Sequence, residues 1–307
     1  MMDVPPTIQY FSREQLDAEK WDRCILRSAN GLPYAYTVHL DHMSKQWSGL
    51  VLNDYEAVMP LTWNRKYGIH YLYQPAFTAQ LGVFGNHLNA LMVADFIAAI
   101  PGKFRLIEIE LNQGNDTGKL PQTTTLRNNY VLDLRTSYEE LYSQYRDNIK
   151  RNIKKAQQLG NRYVSGIPVE DVIALSRSQM QSISDLTDQD YQHFERLFHQ
   201  LQPKGQALAC GVYSSRNELI ASCVYFISNG RACYIMVGNH PNGRTAGASH
   251  LLIDRFIHDH AGSPLLLDFE GSDIRNLAFF YGSFGATLET YPSLRINRLP
   301  WLLRLFK

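Results

Sequence analysis

Tyr234-Ile235-Met236-Val237-Gly238-Asn239, then Arg244-Thr245-Ala246-Gly247-Ala248, then the apolar-periodic run to His260, is the stretch that decides the fold. It reads as a strand, a Gly-containing loop over residues 239–247 and a helix over 248–260. The first turn of such a helix has N–H groups without partners, and the positive end of the helix dipole lies there. That geometry binds an anion such as a pyrophosphate. Gly247 would let the backbone approach the ligand, Ala248 would leave room beside it, and Arg244 would add a charge. A plain loop with a Gly turn and an exposed Arg is the competing reading of the same residues.

Further along the chain, residues 265–269 read as a strand leading into Glu270-Gly271-Ser272. A short helix at about 274–281 follows, with Asn276-Leu277-Ala278-Phe279-Phe280-Tyr281, and then two closing strands, 286–291 and 294–297. Upstream lie strands at 207–213, 219–227 and 231–237, preceded by helices at about 169–182 and 188–201. A long helix over about 137–159 carries Tyr138, Tyr142, Tyr145, Ile149, Ile153 and Ala156 in one stripe. Arg146, Lys150, Arg151, Lys154 and Lys155 take its opposite face, and Gly160 stops it.

The N-terminal part has a helix over 13–28 opened by Ser12-x-x-Gln15, of capping-box form. Asn30-Gly31 stops it. Strands at 49–52, 56–63 and 69–73 follow, then a helix at 88–100, a strand at 105–111, a polar loop over 112–122 and a strand at 130–134. At an offset of 160, Leu91, Phe96, Ile97, Gly102 and Leu106 meet the identical Leu251, Phe256, Ile257, Gly262 and Leu266. The shared element is helix, Gly stop, buried strand, which favours two copies of one α/β fold. The division expected is 1–135 and 136–307, the second beginning with the basic connector helix.

The Arg, Gly and Ala of Arg244-Thr245-Ala246-Gly247-Ala248 at the head of a helix resemble the coenzyme A loop of the GNAT (Gcn5-related N-acetyltransferase) superfamily. Asn276, Ala278 and Tyr281 before Phe284-Gly285 are similar to that superfamily's next helix. Arg151-Asn152-Ile153-Lys154-Lys155-Ala156 looks like the basic joining helix of the FemAB-like branch. Asp268-Phe269-Glu270-Gly271-Ser272 looks like that branch's Asp-Phe-Gly-Gly strand end, with Glu270 departing from it. The Trp21-Asp22 helix is also similar. The resemblance implies an α/β (α+β) fold of two tandem GNAT-like domains, mixed sheets flanked by helices, the first degenerate and without the loop.

It implies acyl transfer to an amine, in a cleft between the two domains, from acyl-CoA or an acyl carrier. Met236, Val237, Gly238, Arg244, Thr245, Ala246, Gly247, Ala248 and Asn276 would hold the donor, with the oxyanion at a backbone N–H near Met236 to Gly238. Tyr281 would protonate the departing sulfur, and Asp268 or Glu270 would take the amine's proton. Either carboxylate could instead pair with Arg231, Arg244 or Arg275. An aminoacyl-tRNA donor with a cell-wall precursor as acceptor is the alternative, with Arg146, Arg151 and Lys155 on its phosphates. A non-catalytic GNAT-fold binding module is a third reading.

The 307 residues balance 30 basic against 29 acidic side chains, net charge +1, so the chain as a whole has no strong pull on nucleic acid or anionic membrane. Cys24, Cys210, Cys223 and Cys233 show no CxxC spacing; Cys210, Cys223 and Cys233 lie in apolar, strand-like runs and read as buried free thiols, and the compartment reads as cytoplasmic. No apolar run reaches the ~18 residues of a membrane span. The tail 299–307 reads as docking on its own domain or touching a membrane surface. His39-x-x-His42 and His258-Asp259-His260 read as solvated histidines, and no metal or DNA partner is expected.

Overall fold

The structure, a computed structural model, describes residues 7–180, 186–271 and 273–300. Chain contacts divide it into two compact units, residues 1–127 with 290–307, and residues 128–289.

In the first unit, β1 (Ile8–Ser12) leads through a 3-10 turn to α1 (Ala18–Arg27), α2 (Thr37–Met43), β2 (Gln46–Leu52), β3 (Ala57–Lys66), β4 (Ile69–Leu72), β5 (Phe84–Gly85), α3 (Ala90–Ala98) and β6 (Phe104–Glu110). The helix expected over 13–28 is therefore split. Ser12 and Gln15 do form their box, but around the 3-10 turn, and α1 starts only where Asp17 accepts from the Lys20 N–H at 3.0 Å. α2 has too little apolar periodicity to be read from sequence. The strands β1, β2, β3 and β4 run antiparallel in that order, and β6 lies parallel to β4.

The chain continues with β7 (Thr124–Asp133), α4 (Tyr138–Ser143), α5 (Asp147–Gln158), β8 (Arg162–Ser165), α6 (Val169–Met180), α7 (Asp188–Leu201), β9 (Ala207–Tyr213), β10 (Leu219–Ser228), β11 (Arg231–Asn239), α8 (Pro241–Thr245), α9 (Ala248–His260), β12 (Leu266–Asp268), α10 (Arg275–Gly282) and β13 (Thr287–Asn297), of which residues 128–289 form the second unit. Here β8, β9, β10 and β11 run antiparallel, and β12 lies parallel to β11. Each unit thus builds antiparallel strands, then a helix, then a parallel strand. Phe96 and Ile97 of α3 and Phe256 and Ile257 of α9, matched in the sequence repeat, are all core residues.

β6 takes as its outer partner the Ser293–Asn297 end of β13, while β12 takes β7. β13 is one strand, not two. Its Pro292 has no N–H to give, but its carbonyl accepts from the Leu111 N–H at 2.8 Å. The expected connector helix is two helices, α4 and α5. Arg146 leaves helical geometry (ψ 153°) and its N–H goes to the Ser283 carbonyl at 3.0 Å. The stripe survives the break: Tyr145, Ile149, Ile153 and Ala156 are buried, and Tyr138 and Tyr142 pack on the same core.

All four cysteines are free and buried, as the apolar runs around Cys210, Cys223 and Cys233 implied for those three. Among the described residues no helix is long and apolar enough to cross a membrane. The tail beyond Pro300 lies outside the described residues.

Candidate functional site

In the second unit β11 and β12 pair only from Arg231 to Cys233 against Leu266 to Asp268. Beyond that point β11 continues to Asn239 while β12 has ended, so among the described residues the amides on that side of residues 234–238 have no strand to bond. β11 also carries one extra residue, Ile235, between the pairs Tyr225–Tyr234 and Val224–Met236.

At the end of β12 the two candidate acids part. Asp268 is buried, accepts from Arg231 Nη1 at 2.5 Å and from the Glu270 N–H at 2.8 Å. Arg231 is also held by Glu289 through two bonds of 3.0 Å. Burial alone would lower the guanidinium's pKa, but the two carboxylates hold it above its usual range. Asp268 is thus ion-paired with Arg231, one of the three arginines considered as its partner.

Glu270 lies in the left-handed region (φ 60°), an uncommon place for glutamate. Among the described residues its buried Oε1 has no hydrogen bond, and burial pushes its pKa up to about 8. Tyr281 of α10 is buried, its hydroxyl held well above the usual phenol range by burial and by the charge of Glu270. Its ring stacks on Phe269 at 4.5 Å, and Phe269 meets Tyr234 of β11 edge-on at 6.2 Å.

The expected loop over 239–247 contains α8, and Arg244 stands exposed in its last turn with no ion pair among the described residues. Thr245 caps the turn by donating to the Asn242 carbonyl at 3.1 Å, and the Ala246 carbonyl accepts from Asn161 Nδ2 at 3.4 Å. Gly247 (φ 69°) begins α9, but the space at its α-carbon is taken by α5. An added Cβ would stand 2.4 Å from the Asn152 carbonyl. Close approach by the chain itself, rather than by a ligand, accounts for this glycine. Gly238 is similar, since a Cβ there would lie 2.8 Å from the Ser176 N of α6. Ala248 is buried in the core under α9.

His250, in the first turn of α9, escaped the sequence reading because a lone histidine in a helix carries no spacing signal. Burial pushes its pKa down to about 4, so it is neutral. Its ring meets Phe280 of α10 edge-on at 5.0 Å, and Phe280 lies 5.7 Å from Tyr281. An unbroken line of rings therefore runs from the first turn of α9 through His250, Phe280 and Tyr281 to Phe269 and Tyr234.

Residues 143–271 match the model of a family described as the acetyltransferase (GNAT) domain. The match covers less than half of the chain and spans the second unit but for its flanks. Among solved structures it is similar to FemX, with a TM-score of 0.64 at 11% identity over 92% of this chain and 96% of that one. It is also similar to L-PGS from Bacillus licheniformis, with a TM-score of 0.56 at 10% identity over 94% of this chain and 95% of that one. The C-terminal domain of a putative lysylphosphatidylglycerol synthetase from Agrobacterium fabrum gives 0.58 at 8% identity, over 94% of each chain. At these identities the likeness is one of fold. No curated protein matches the sequence significantly.

In the second unit the ring line joins the first turn of α9 to Tyr281, whose hydroxyl feels the charge of Glu270. Asn276 is exposed at the start of α10. Of the basic residues, Arg146 caps α5 and lies over the Phe279 ring at 4.7 Å, and Arg151 and Lys155 are exposed on α5. The histidines are placed by other contacts. His39 is buried against Thr78, at 2.9 Å, rather than solvated, and His42 meets the Val38 carbonyl at 2.8 Å. His258 pairs with Asp259 at 3.1 Å and His260 with the Phe256 carbonyl at 2.9 Å. Glu170, Glu195 and His199 gather on α6 and α7, where His199 and Glu170 already hydrogen-bond at 2.9 Å.

Proposed function

We propose that the second unit is an N-acyltransferase whose donor is an acyl-CoA or an acyl carrier thioester. The observation that supports this reading is the ring line joining the first turn of α9 to Tyr281 and Glu270. In this reading the donor's pyrophosphate meets the free amides of α9 with Arg244 alongside, and the acyl group follows β11 where β12 has left it. The amine nitrogen attacks the thioester carbon, whose oxygen takes an amide of the 236–238 stretch. The C–N bond forms as the C–S bond breaks. Glu270, ionised above its raised pKa, takes the amine's proton, and the Tyr281 hydroxyl gives one to the sulfur. Solvent exchange then resets both groups.

Equilibrium binding of coenzyme A and acetyl-CoA to the full chain tests the donor. Expected are saturable binding and a rise in Tm, both lost in Arg244→Glu. If neither compound binds, the thioester reading fails.

A second reading rests on the exposed cationic face of Arg151, Lys154 and Lys155. There the donor is an aminoacyl ester of tRNA, and the face carries its phosphates. Binding of tRNA that weakens steeply with salt, and disappears on reversing Arg151 and Lys155, is the expected signature. Its absence at low salt removes the reading.

A further inference from the structure

We propose that the first unit binds a small organic phosphate in the cavity bounded by α1, the turn joining β2 to β3 and the residues that follow β5. The inference concerns this unit alone and stands whether or not the second unit transfers acyl groups. The cavity measures about 540 Å³. That size lies within the range of small-ligand sites, roughly 300–1,000 Å³.

One wall is a stripe of α1. Lys20, Arg23 and Arg27 line the cavity and share one side of the helix, while Trp21 and Ile25, turned away from it, are buried in the core. The facing wall is the turn, where Asp54 pairs with Lys20 at 2.6 Å and the Tyr55 hydroxyl accepts from the Asp17 N–H at 2.7 Å, at the head of α1. The third wall is Asn86 and His87, and Asn86 Oδ1 accepts from the Ala29 N–H at 3.1 Å just beyond α1. Each wall is therefore tied to the helix. Tyr55 and His87 lie in the left-handed region (φ 62° and 55°), so both rims are held in conformations that such side chains seldom adopt.

The carboxylates of this cavity are already engaged, Asp54 by Lys20 and Glu56 by the Asn53 side-chain amide at 2.9 Å. The guanidiniums are not. Among the described residues neither Arg23 nor Arg27 has a hydrogen bond or an ion pair, although Glu19 stands one turn before Arg23. Arg27, in the last turn of α1, is favoured there by the helix dipole, but Arg23 has no such reason. Like charges one turn apart repel, and an anion held between them would relieve that. The Asn86 NH2 group and the His87 ring likewise have no partner among the described residues. What the walls leave over is thus a set of accessible N–H donors with surplus positive charge. A phosphate monoester, with up to two charges and three acceptor oxygens, can meet both guanidinium forks at once. A carboxylate has one charge and two oxygens, and would leave one arginine unmatched. The remaining volume is room for the group that carries the phosphate.

The test titrates the full chain with phosphoserine, glycerol phosphate and AMP, each beside its dephosphorylated parent (serine, glycerol, adenosine), and with acetate. Calorimetry measures binding, and the imidazole signals of a protein NMR spectrum locate it, with His87→Gln identifying the His87 signal. Expected is saturation by at least one of the phosphates within about 10 mM, weakened by salt, with the His87 signal shifting. The dephosphorylated parents and acetate should leave that signal still. Arg23→Gln and Arg27→Gln should each weaken binding about tenfold with Tm unchanged, since both side chains are exposed and unpaired among the described residues. Arg244→Glu should bind as the parent does, which separates this site from the pyrophosphate site proposed in the second unit. The proposal is overturned if no phosphate saturates, if acetate or a dephosphorylated parent shifts the His87 signal as far, or if both arginine variants bind as the parent does. It is overturned too if Arg244→Glu abolishes the binding, or if vesicles containing phosphatidic acid move the His87 signal and the soluble phosphates do not.

Discussion

Arg231 donates to Asp268 at 2.5 Å inside the second unit, and this bond separates two carboxylates that stand two residues apart. Asp268 is committed to the guanidinium, whereas Glu270 keeps a buried oxygen without a partner among the described residues. Replacing Asp268 by Ala should therefore act on stability first. Breaking a buried pair costs about 3–5 kcal/mol, and the lower end applies here because Glu289 still holds Arg231. Urea denaturation measures it; a loss under about 1 kcal/mol would show that the pair is not structural.

Glu270 makes a prediction in pH. Its pKa in the fold is about 8, against about 4.3 in an unfolded chain. Between those values the unfolded state has given up the proton and the folded state still holds it. Stability therefore falls as pH rises through this window, by at most about 1.4 kcal/mol per unit, and levels off above about pH 8. Glu270→Gln should flatten that slope. Activity should run the other way, because a base must be ionised: kcat/KM should rise through about pH 8 in the parent and stay low in the variant. A parent profile already flat from pH 6 would rule out Glu270 as the base.

Gly247 separates a structural from a ligand-binding role. With φ at 69° and the Asn152 carbonyl 2.4 Å from where a Cβ would go, Gly247→Ala should force α5 and the start of α9 apart. A destabilisation of about 2 kcal/mol or more is expected, from clash and strain together. Thermal melts without any ligand read it directly. If the glycine served only a bound pyrophosphate, stability would be unchanged and only binding would suffer.

Local signals were legible and distant ones were not. The runs at β9 and α9 carry their own periodicity and end where the sequence suggested, and the apolar stripe through α4 and α5 was visible residue by residue. The break between those helices was not, because Arg146 is drawn out of line by the carbonyl of Ser283, far along the chain. The continuity of β13 across Pro292 depends likewise on Leu111, and its pairing with β6 on a strand nearly two hundred residues earlier in the chain. At the candidate site, Tyr281, Asp268 and Glu270 were named through the resemblance of their motifs. That Arg231 reaches Asp268 and not Glu270 could be seen only in the fold. His250 acquires meaning only through Phe280, which no spacing rule connects to it.

Tyr281 carries the most specific chemical prediction. A phenol whose pKa is raised by burial and by a neighbouring carboxylate stays protonated at neutral pH, as a proton donor must. Tyr281→Phe removes the hydroxyl but leaves the stack on Phe269, so Tm should hold. If the hydroxyl protonates the departing sulfur, kcat should fall about 10²-fold, with donor KM nearly unchanged, because the interaction is made in the transition state. The size of that loss should depend on the leaving group. An aryl thioester expels a weakly basic thiolate that needs little help from an acid, so the parent and Tyr281→Phe should converge on such a donor. Equal losses with alkyl and aryl thioesters would mean that the hydroxyl positions the substrate and transfers no proton to sulfur.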